Sequence, residues 1–376
     1  MMHIAFFIPV LTIGGAEKVI IALANGFAEK GYKVDLVLVN KKGPLLSSVS
    51  SKVHIVDLGA SKTFLSIRKL RRYLDTAKPQ VLLSALDNAN IVASMAVRLA
   101  ATKTCHIISL HTNLKLSHKK ARTSMHRLYP SIMRRLFPAA TGYIAVSKCV
   151  AKESGEFLHI PSKIIDVIYN PVIQDEIKSK AEEPISHPWL EDDRYFTMVA
   201  VGRIFEAKDY PTLLYAFSKV NASIPETRLI ILGDGKLEIK EEMTRIIHQE
   251  KLEHAVELHG FAHNPYAFIE KSSLLVLSSS WEGFGNVLVE ALHLGTPVIS
   301  TDCKCGPREI LKNGELGSLV SVGDRDGLAK AILKHITQKP KIDQKAIDFH
   351  LQQMEVGYVI DRYEEIFLRL VEDRKG

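Results

Sequence analysis

Short runs of aliphatic and β-branched residues alternate with helical stretches along the whole chain, and this alternation limits the fold more than any other feature. In the first half the strand candidates are residues 3–9, 33–39, 53–57, 80–85, 105–110, 142–146 and 164–168. In the second half they are 197–201, 228–232, 255–258, 274–277, 297–300 and 318–320. Runs such as Val34-Asp-Leu-Val-Leu-Val39 and Leu229-Ile-Ile-Leu232 are largely apolar, which suits strands covered on both faces. Their alternation with helices predicts two parallel, doubly wound sheets. A chain of 376 residues is long for one core, so two domains are expected. Residues 171–193 hold Pro171, Pro184 and Pro188 among charged side chains and read as a linker. The tail from Tyr358 to Val371 reads as an amphipathic helix that adds no strand.

Apolar residues make up 46% of the chain and charged ones 24%, the balance of an ordinary globular protein. No stretch approaches the ~20 apolar residues that span a bilayer. The start, Met1-Met-His-Ile-Ala-Phe-Phe-Ile-Pro-Val10, reads as a first strand and not as a signal peptide. Four cysteines are too few for a disulfide scaffold. Cys303-x-Cys305 lacks zinc spacing and reads as a pair of loop thiols, which fits a reducing cytoplasm.

Charge is unevenly spread. Residues 1–180 carry a net +15 and the remainder −8, within the total of +7. Much of the excess lies in Arg68-Lys-Leu-Arg-Arg72 and between Lys115 and Arg135. The second segment interleaves Lys119, Lys120, Arg122, Arg127, Arg134 and Arg135 with Leu116, Met125, Leu128, Tyr129, Ile132 and Met133. A basic amphipathic stretch suits an anionic membrane surface or an anionic substrate, and a solvated face equally. Nucleic acid is the weaker option, because no zinc-finger, RRM or helix-turn-helix signature accompanies the charge.

Glu282 and Glu290 stand eight residues apart in Glu282-Gly-Phe-Gly-Asn-Val-Leu-Val-Glu290. The second is surrounded by Val287, Leu288, Val289, Ala291, Leu292 and Leu294, the pattern of a buried helix. Unless it caps a surface edge, an ionised glutamate there needs a polar partner, and a ligand is a good candidate. Gly14-Gly15 follows the first strand and opens a helix, where bare amides can receive an anion. Arg203 ends a strand, and Lys208 follows five residues later. Two cations at a sheet end suit a diphosphate. Gly233-Asp234-Gly235 closes another strand, and His111 ends the strand 105–110. There is no G-x-G-x-x-G after the first strand, no P-loop lysine and no Gly-x-Ser-x-Gly elbow. Asp324-Arg-Asp326 precedes a helix and reads as a cap.

Taken together, these pieces resemble the retaining glycosyltransferases of the "glycosyl transferases group 1" type, which have the GT-B fold. The matching residues are Gly14-Gly15-Ala-Glu17, Val201-Gly-Arg203 with Lys208, Leu232-Gly-Asp-Gly235 and Leu258-His-Gly-Phe261. They continue with Glu282 to Glu290, Gly295-Thr-Pro-Val-Ile-Ser-Thr-Asp302 and Gly306-Pro-Arg-Glu-Ile-Leu311. The chain departs from the pattern at Asp209, where glycine or asparagine is common, at Cys303-Lys-Cys305, and at His111 in Leu-His-Thr-Asn. The resemblance implies two Rossmann-like domains facing a cleft. Residues 1–170 would bind the acceptor and 194–355 the nucleotide sugar, while 356–376 would cross back onto the first domain.

By the same resemblance, Glu290 would hold the ribose hydroxyls, and Arg203 and Lys208 the diphosphate, in the role a metal fills elsewhere. Amides from Phe284 through Gly285, Asn286 and Val287 to Leu288 would add donors, as would the loops at Gly14, Gly15, Gly233 and Asp234. Glu282 would contact the transferred sugar, His111 would approach it from the other domain, and backbone near Phe261 would read the base. The implied activity is metal-independent, cofactor-free retaining transfer, with a UDP-hexose or UDP-N-acetylhexosamine as the expected donor. A lipid-linked oligosaccharide or lipopolysaccharide-type glycan is the expected acceptor, met at the inner face of the cytoplasmic membrane. A same-fold sugar-nucleotide epimerase and a noncatalytic sugar-nucleotide-binding subunit are the alternatives.

Overall fold

The computed structural model describes residues 2–115, 124–340 and 343–374, of which 124–127 are described by backbone alone. Two compact units divide the chain: Met1–Val172 together with Gln353–Gly376, and Ile173–Gln352.

The first unit contains β1 (His3–Ile8), β2 (Lys33–Leu38), β3 (His54–Asp57), β4 (Val81–Ala85), β5 (Cys105–Leu110), β6 (Gly142–Ala145) and β7 (Ile165–Val167). They form one parallel sheet in the order β3-β2-β1-β4-β5-β6-β7. Every residue of β1, His-Ile-Ala-Phe-Phe-Ile, is buried, as a strand covered on both faces requires. Successive side chains point to opposite faces. Phe6 joins Leu36, Leu83, Phe27 and Phe367 on one side. Phe7 joins Leu70, Leu74 and Val92 on the other. The helix Val356–Asp373 packs on the Phe6 side, burying Tyr363 and Phe367, and the Phe367 ring stacks on Phe27 with centroids 5.3 Å apart. Lys30 pairs with Asp361 and Glu364 of this helix, and Tyr32 donates to Glu364.

The second unit contains β8 (Phe196–Val201), β9 (Thr227–Leu232), β10 (Val256–Gly260), β11 (Leu274–Leu277), β12 (Val298–Thr301) and β13 (Ser318–Val320). Their parallel order is β10-β9-β8-β11-β12-β13. Met198, Leu229 and Ile231 pack with Leu213 and Phe217 of the helix Tyr210–Ser223 and with Leu328 and Ile332 of the helix Arg325–Gln338. Asp324 caps the latter, accepting from the Gly327 N–H at 2.8 Å, as its place in the sequence implied. Much of the expected linker 171–193 is folded into this unit. The helix Glu176–Ala181 buries Ile177 and Ala181, and Asn264 Nδ2 donates to the Lys180 carbonyl at 2.6 Å. Pro188 opens a short helix, Pro188–Glu191, at the position where a missing N–H costs nothing.

In both sheets the strand order reverses beside the first strand, between β1 and β4 and between β8 and β11. In open sheets of this kind such a switch point, outside the carboxyl ends of the strands, is the usual ligand site.

Candidate functional site

Five loops meet at the carboxyl end of the second sheet, joined through their backbones. Ile204 N–H donates to Asp234 O at 2.9 Å, and Gly233 N–H to Gly260 O at 2.7 Å. Ser280 N–H donates to Ala207 O at 2.7 Å, and Glu282 N–H to Lys304 O at 3.3 Å. Two glycines allow this approach. A Cβ on Gly233 (φ +152°) would lie 2.0 Å from the Gly202 carbonyl oxygen, and one on Gly306 (φ +96°) 1.7 Å from that of Phe284. No side chain fits at either place.

The switch point between β8 and β11 brings two of the expected residues into contact. Lys208 Nζ donates to Glu282 Oε1 at 2.7 Å, with the two side chains only 13% and 15% exposed. Ser279 Oγ donates to the same carboxylate oxygen at 2.7 Å, and Ser278 Oγ to the Lys208 carbonyl at 2.8 Å. Partly desolvated charges of opposite sign stabilise one another there, and removing either leaves the other uncompensated. Asp209, the departure from the family pattern, takes a left-handed conformation (φ +46°), where glycine or asparagine is easiest. It caps the next helix, accepting from Thr212 N–H at 3.4 Å and Thr212 Oγ1 at 3.0 Å. That residue serves the helix and leaves the lysine beside it in place. Arg203 is exposed on the same loop.

The helix Asn286–His293 starts directly beyond Glu282, with Gly285 as its cap (φ +102°). Val287, Leu288, Val289, Ala291 and Leu292 are buried, and Glu290 among them is 8% exposed. Burial, then the charge of Glu290, raises the pKa of the Tyr266 phenol and keeps it protonated. Asn286 and Glu290 share a face of the helix by their spacing of four. Leu288 departs from expectation: its N–H donates to Gly285 O at 2.9 Å and its side chain is fully buried, so neither is offered to a ligand. Asp234 is paired with Lys240 at 2.9 Å, which holds its carboxyl below the ordinary range. Phe261 is 44% exposed, edge-on to His263 with centroids 5.0 Å apart. Cys303 is a free buried thiol, pushed up to about 12 by burial and then by the charge of Glu282. Cys305 is disulfide-bonded, against its reading as a loop thiol.

Gly14, Gly15 and His111 belong to the first unit, at the carboxyl ends of β1 and β5, the two strands that flank β4. Gly14 caps the helix Gly15–Glu29, and Thr12 Oγ1 donates to the buried Glu17 at 2.6 Å. His111 is half-buried, with Nε2 2.9 Å from Ser109 Oγ, and burial takes its pKa down to about 4. Ser279 and Ser109 were not singled out from sequence. Each sits at a strand's carboxyl end within three residues of a singled-out side chain, and that is the signal available.

Of the basic segment, Lys119, Lys120 and Arg122 lie outside the described residues, and Arg127 is described by backbone alone. In the helix Ser124–Leu136, Arg134 Nε donates to Phe157 O at 2.7 Å, so this arginine is partly engaged within the unit. Arg135 and Leu128 are exposed. No helix among the described residues is long and apolar enough to cross a membrane.

His187, Glu257 and His259 bring three potential metal-ligand atoms within 4.8 Å of one another. Nδ1 of His187 accepts the Trp189 N–H at 3.2 Å, so the neutral ring carries its proton on Nε2 and donates it to Glu257 at 3.0 Å. That ring ties the chain to β10 and has no lone pair left for an ion.

Two doubly wound parallel sheets in one chain, with Lys208 and Glu282 paired at the switch point of the second, have the GT-B architecture of sugar-transferring enzymes. The sequence matches the family "Glycosyl transferases group 1" over residues 181–348 and "Glycosyltransferase Family 4" over residues 13–176. The chain belongs to the group 1 glycosyltransferases of GT-B fold. It is 29% identical over 346 residues to a Campylobacter jejuni N-acetylgalactosamine-N,N'-diacetylbacillosaminyl-diphospho-undecaprenol 4-alpha-N-acetylgalactosaminyltransferase, covering 88% of this chain and 89% of that one. It is 24% identical to the lipopolysaccharide core biosynthesis glycosyltransferase LpsE of Rhizobium meliloti, covering 85% and 84%. Among solved structures, Anabaena Alr3699/HepE in complex with UDP-glucose superposes with a TM-score of 0.80 at 21% identity, covering 98% of this chain and 100% of that one.

Proposed function

We propose that the protein is a retaining hexosyltransferase that moves a hexose or N-acetylhexosamine from UDP to a lipid-linked oligosaccharide or a lipopolysaccharide-type glycan, without a metal ion. The observation that carries this reading is the Lys208–Glu282 pair, held by Ser279 at the switch point of the second sheet. A diphosphate competes with Glu282 for Lys208. Its arrival shifts the lysine, with Arg203, onto phosphate and frees the carboxylate for the sugar's hydroxyls. Glu290 takes the ribose, and His111 contributes a contact to the transferred sugar. The bond from the anomeric carbon to the diphosphate oxygen breaks and one to the acceptor oxygen forms on the same face. The acceptor's proton passes to the leaving phosphate oxygen. The two cations meet the charge that develops there, the place where electrostatic stabilisation counts most.

The acceptor class is supported by the undecaprenol-linked and lipopolysaccharide substrates in the names of the relatives, and the donor by the UDP-glucose held by the Anabaena protein. The basic segment between Lys115 and Arg135 would hold the enzyme on an anionic leaflet at the cytoplasmic side. NMR of the product tests the stereochemistry: the donor's anomeric configuration is expected in the new linkage, and an inverted linkage overturns retention. Activity that survives EDTA supports metal independence, and activity lost to EDTA and restored by manganese overturns it.

A further inference from the structure

Two leucines stand out into solvent on the first unit, Leu65 at 63% exposure and Leu128 at 58%. Their neighbours in the chain explain the placement. Phe64 and Tyr129 meet with ring centroids 6.0 Å apart, and Phe64 packs on the cluster around Leu70 and Val92. Because those rings meet, the leucines beside them belong to one patch. Leu65 lies in the single 3-10 turn Thr63–Ser66, which follows β3, and Leu128 in the helix Ser124–Leu136, which follows β5. Asn88, at the start of the helix Asp87–Leu99 after β4, donates from Nδ2 to Thr63 Oγ1 at 3.3 Å. The patch therefore sits at the carboxyl-end rim of the first sheet, the end that also carries His111.

A single exposed leucine needs no explanation. These two are set among unpaired cations. Leu65, Arg68 and Arg72 recur at spacings of three and four, so they share the outer face of the turn and of the helix Ile67–Ala77 that continues it. The inner face of that helix buries Leu70 and Leu74. Arg135 stands seven residues beyond Leu128, on the same face of its own helix. Arg68, Arg72 and Arg135 are exposed and pair with no acidic group among the described residues. Their neighbours are engaged: Arg71 pairs with Asp75 at 3.4 Å, and Lys69 Nζ donates to the Gly59 carbonyl at 2.7 Å. Apolar tips beside free guanidiniums match a leaflet, whose acyl boundary takes leucine and whose phosphates take arginine.

We propose that Leu65 and Leu128 insert into an anionic leaflet while Arg68, Arg72 and Arg135 bind its phosphates, so that the carboxyl-end rim of the first sheet faces the membrane. The inference rests on the lipid-linked acceptor proposed above. It adds to the segment between Lys115 and Arg135 a second basic element, the helix Ile67–Ala77, and two apolar anchors. Attraction between charges is screened by salt, whereas insertion persists in it.

The test uses the full-length protein and phosphatidylglycerol-containing vesicles. An environment-sensitive fluorophore is attached to Leu65→Cys, the free Cys105 and Cys303 being buried. Its emission is expected to shift to the blue when vesicles are added. The same label on Leu99→Cys, 54% exposed at the opposite end of the sheet, is expected to stay in water. Leu65→Asp with Leu128→Asp should weaken sedimentation about a hundredfold, tenfold for each leucine, with the thermal shift by UDP as the check of folding. Arg68→Glu with Arg72→Glu should weaken it at low salt. A label at position 65 that does not shift, or one that shifts no more than the label at 99, overturns the surface. If the wild type still sediments and extends a lipid-linked acceptor in that case, the proposed function stands without it. A wild type that ignores the vesicles and extends only water-soluble acceptors overturns both.

Discussion

Lys208 and Glu282 neutralise each other as a 2.7 Å ion pair, which the donor's diphosphate separates on the proposed reading. Replacing Glu282 with alanine leaves the lysine half-buried without its partner and deprives the sugar of a carboxylate. Turnover is expected to fall about 10²–10³-fold, measured as UDP release, with UDP binding retained; near-normal turnover would remove Glu282 from the chemistry. A second prediction concerns His106. Ser84 spends its hydrogen on Asn90, so His106 must donate through Nε2, and protonating the other nitrogen buries a charge. Burial takes its pKa from 6.5 to about 3. The unfolded chain alone binds the extra proton between those values, so stability rises with pH across the window and is lost as pH falls below 6.5. The stability measured by urea unfolding is expected to drop by about 2 kcal/mol from pH 7 to pH 5 through His106. His106→Gln should remove that share, and an unchanged slope would contradict the assignment.

Gly306 shows how tightly the loops constrain one another. With φ at +96° and the Phe284 carbonyl 1.7 Å from a would-be Cβ, Gly306→Ala must push apart the loops after β11 and β12. We expect a loss of at least about 2 kcal/mol in stability and weakened UDP binding, both read from thermal shifts; a variant that melts and binds like wild type would mean the loops are free to part. The elements themselves were legible in the sequence. Every strand was, the central ones most plainly because strands buried on both faces spell themselves as apolar runs, and Glu290 stood out because such a helix has no ordinary use for an acid. Contacts between distant residues were not. Lys208 and Glu282 are 74 residues apart, and the register of a parallel sheet that joins them is not written in either segment. Residues 171–193 looked like a linker because proline at a helix's first turn resembles proline in a loop.

Across the whole molecule, the sign of the charge divides with the chain, +15 in residues 1–180 and −8 in the rest. Each basic residue near an anionic leaflet contributes about 1 kcal/mol, so a few suffice for reversible docking. Charge reversal at Lys119, Lys120 and Arg122 is expected to weaken sedimentation with anionic vesicles and raise the acceptor KM, leaving UDP affinity unchanged. A wild type that ignores such vesicles at low salt would favour a soluble acceptor. Sugar transfer from a UDP donor to a lipid-linked glycan, as proposed, is tested most directly by incubating the enzyme with a panel of UDP-sugars, with and without an undecaprenyl-diphosphate-linked oligosaccharide, following UDP and product together. The expected result is acceptor-dependent UDP release from one donor, matched by an acceptor one sugar longer and lost in Glu282→Ala. UDP binding with no release for any acceptor, or conversion of the donor sugar with no acceptor present, would contradict it.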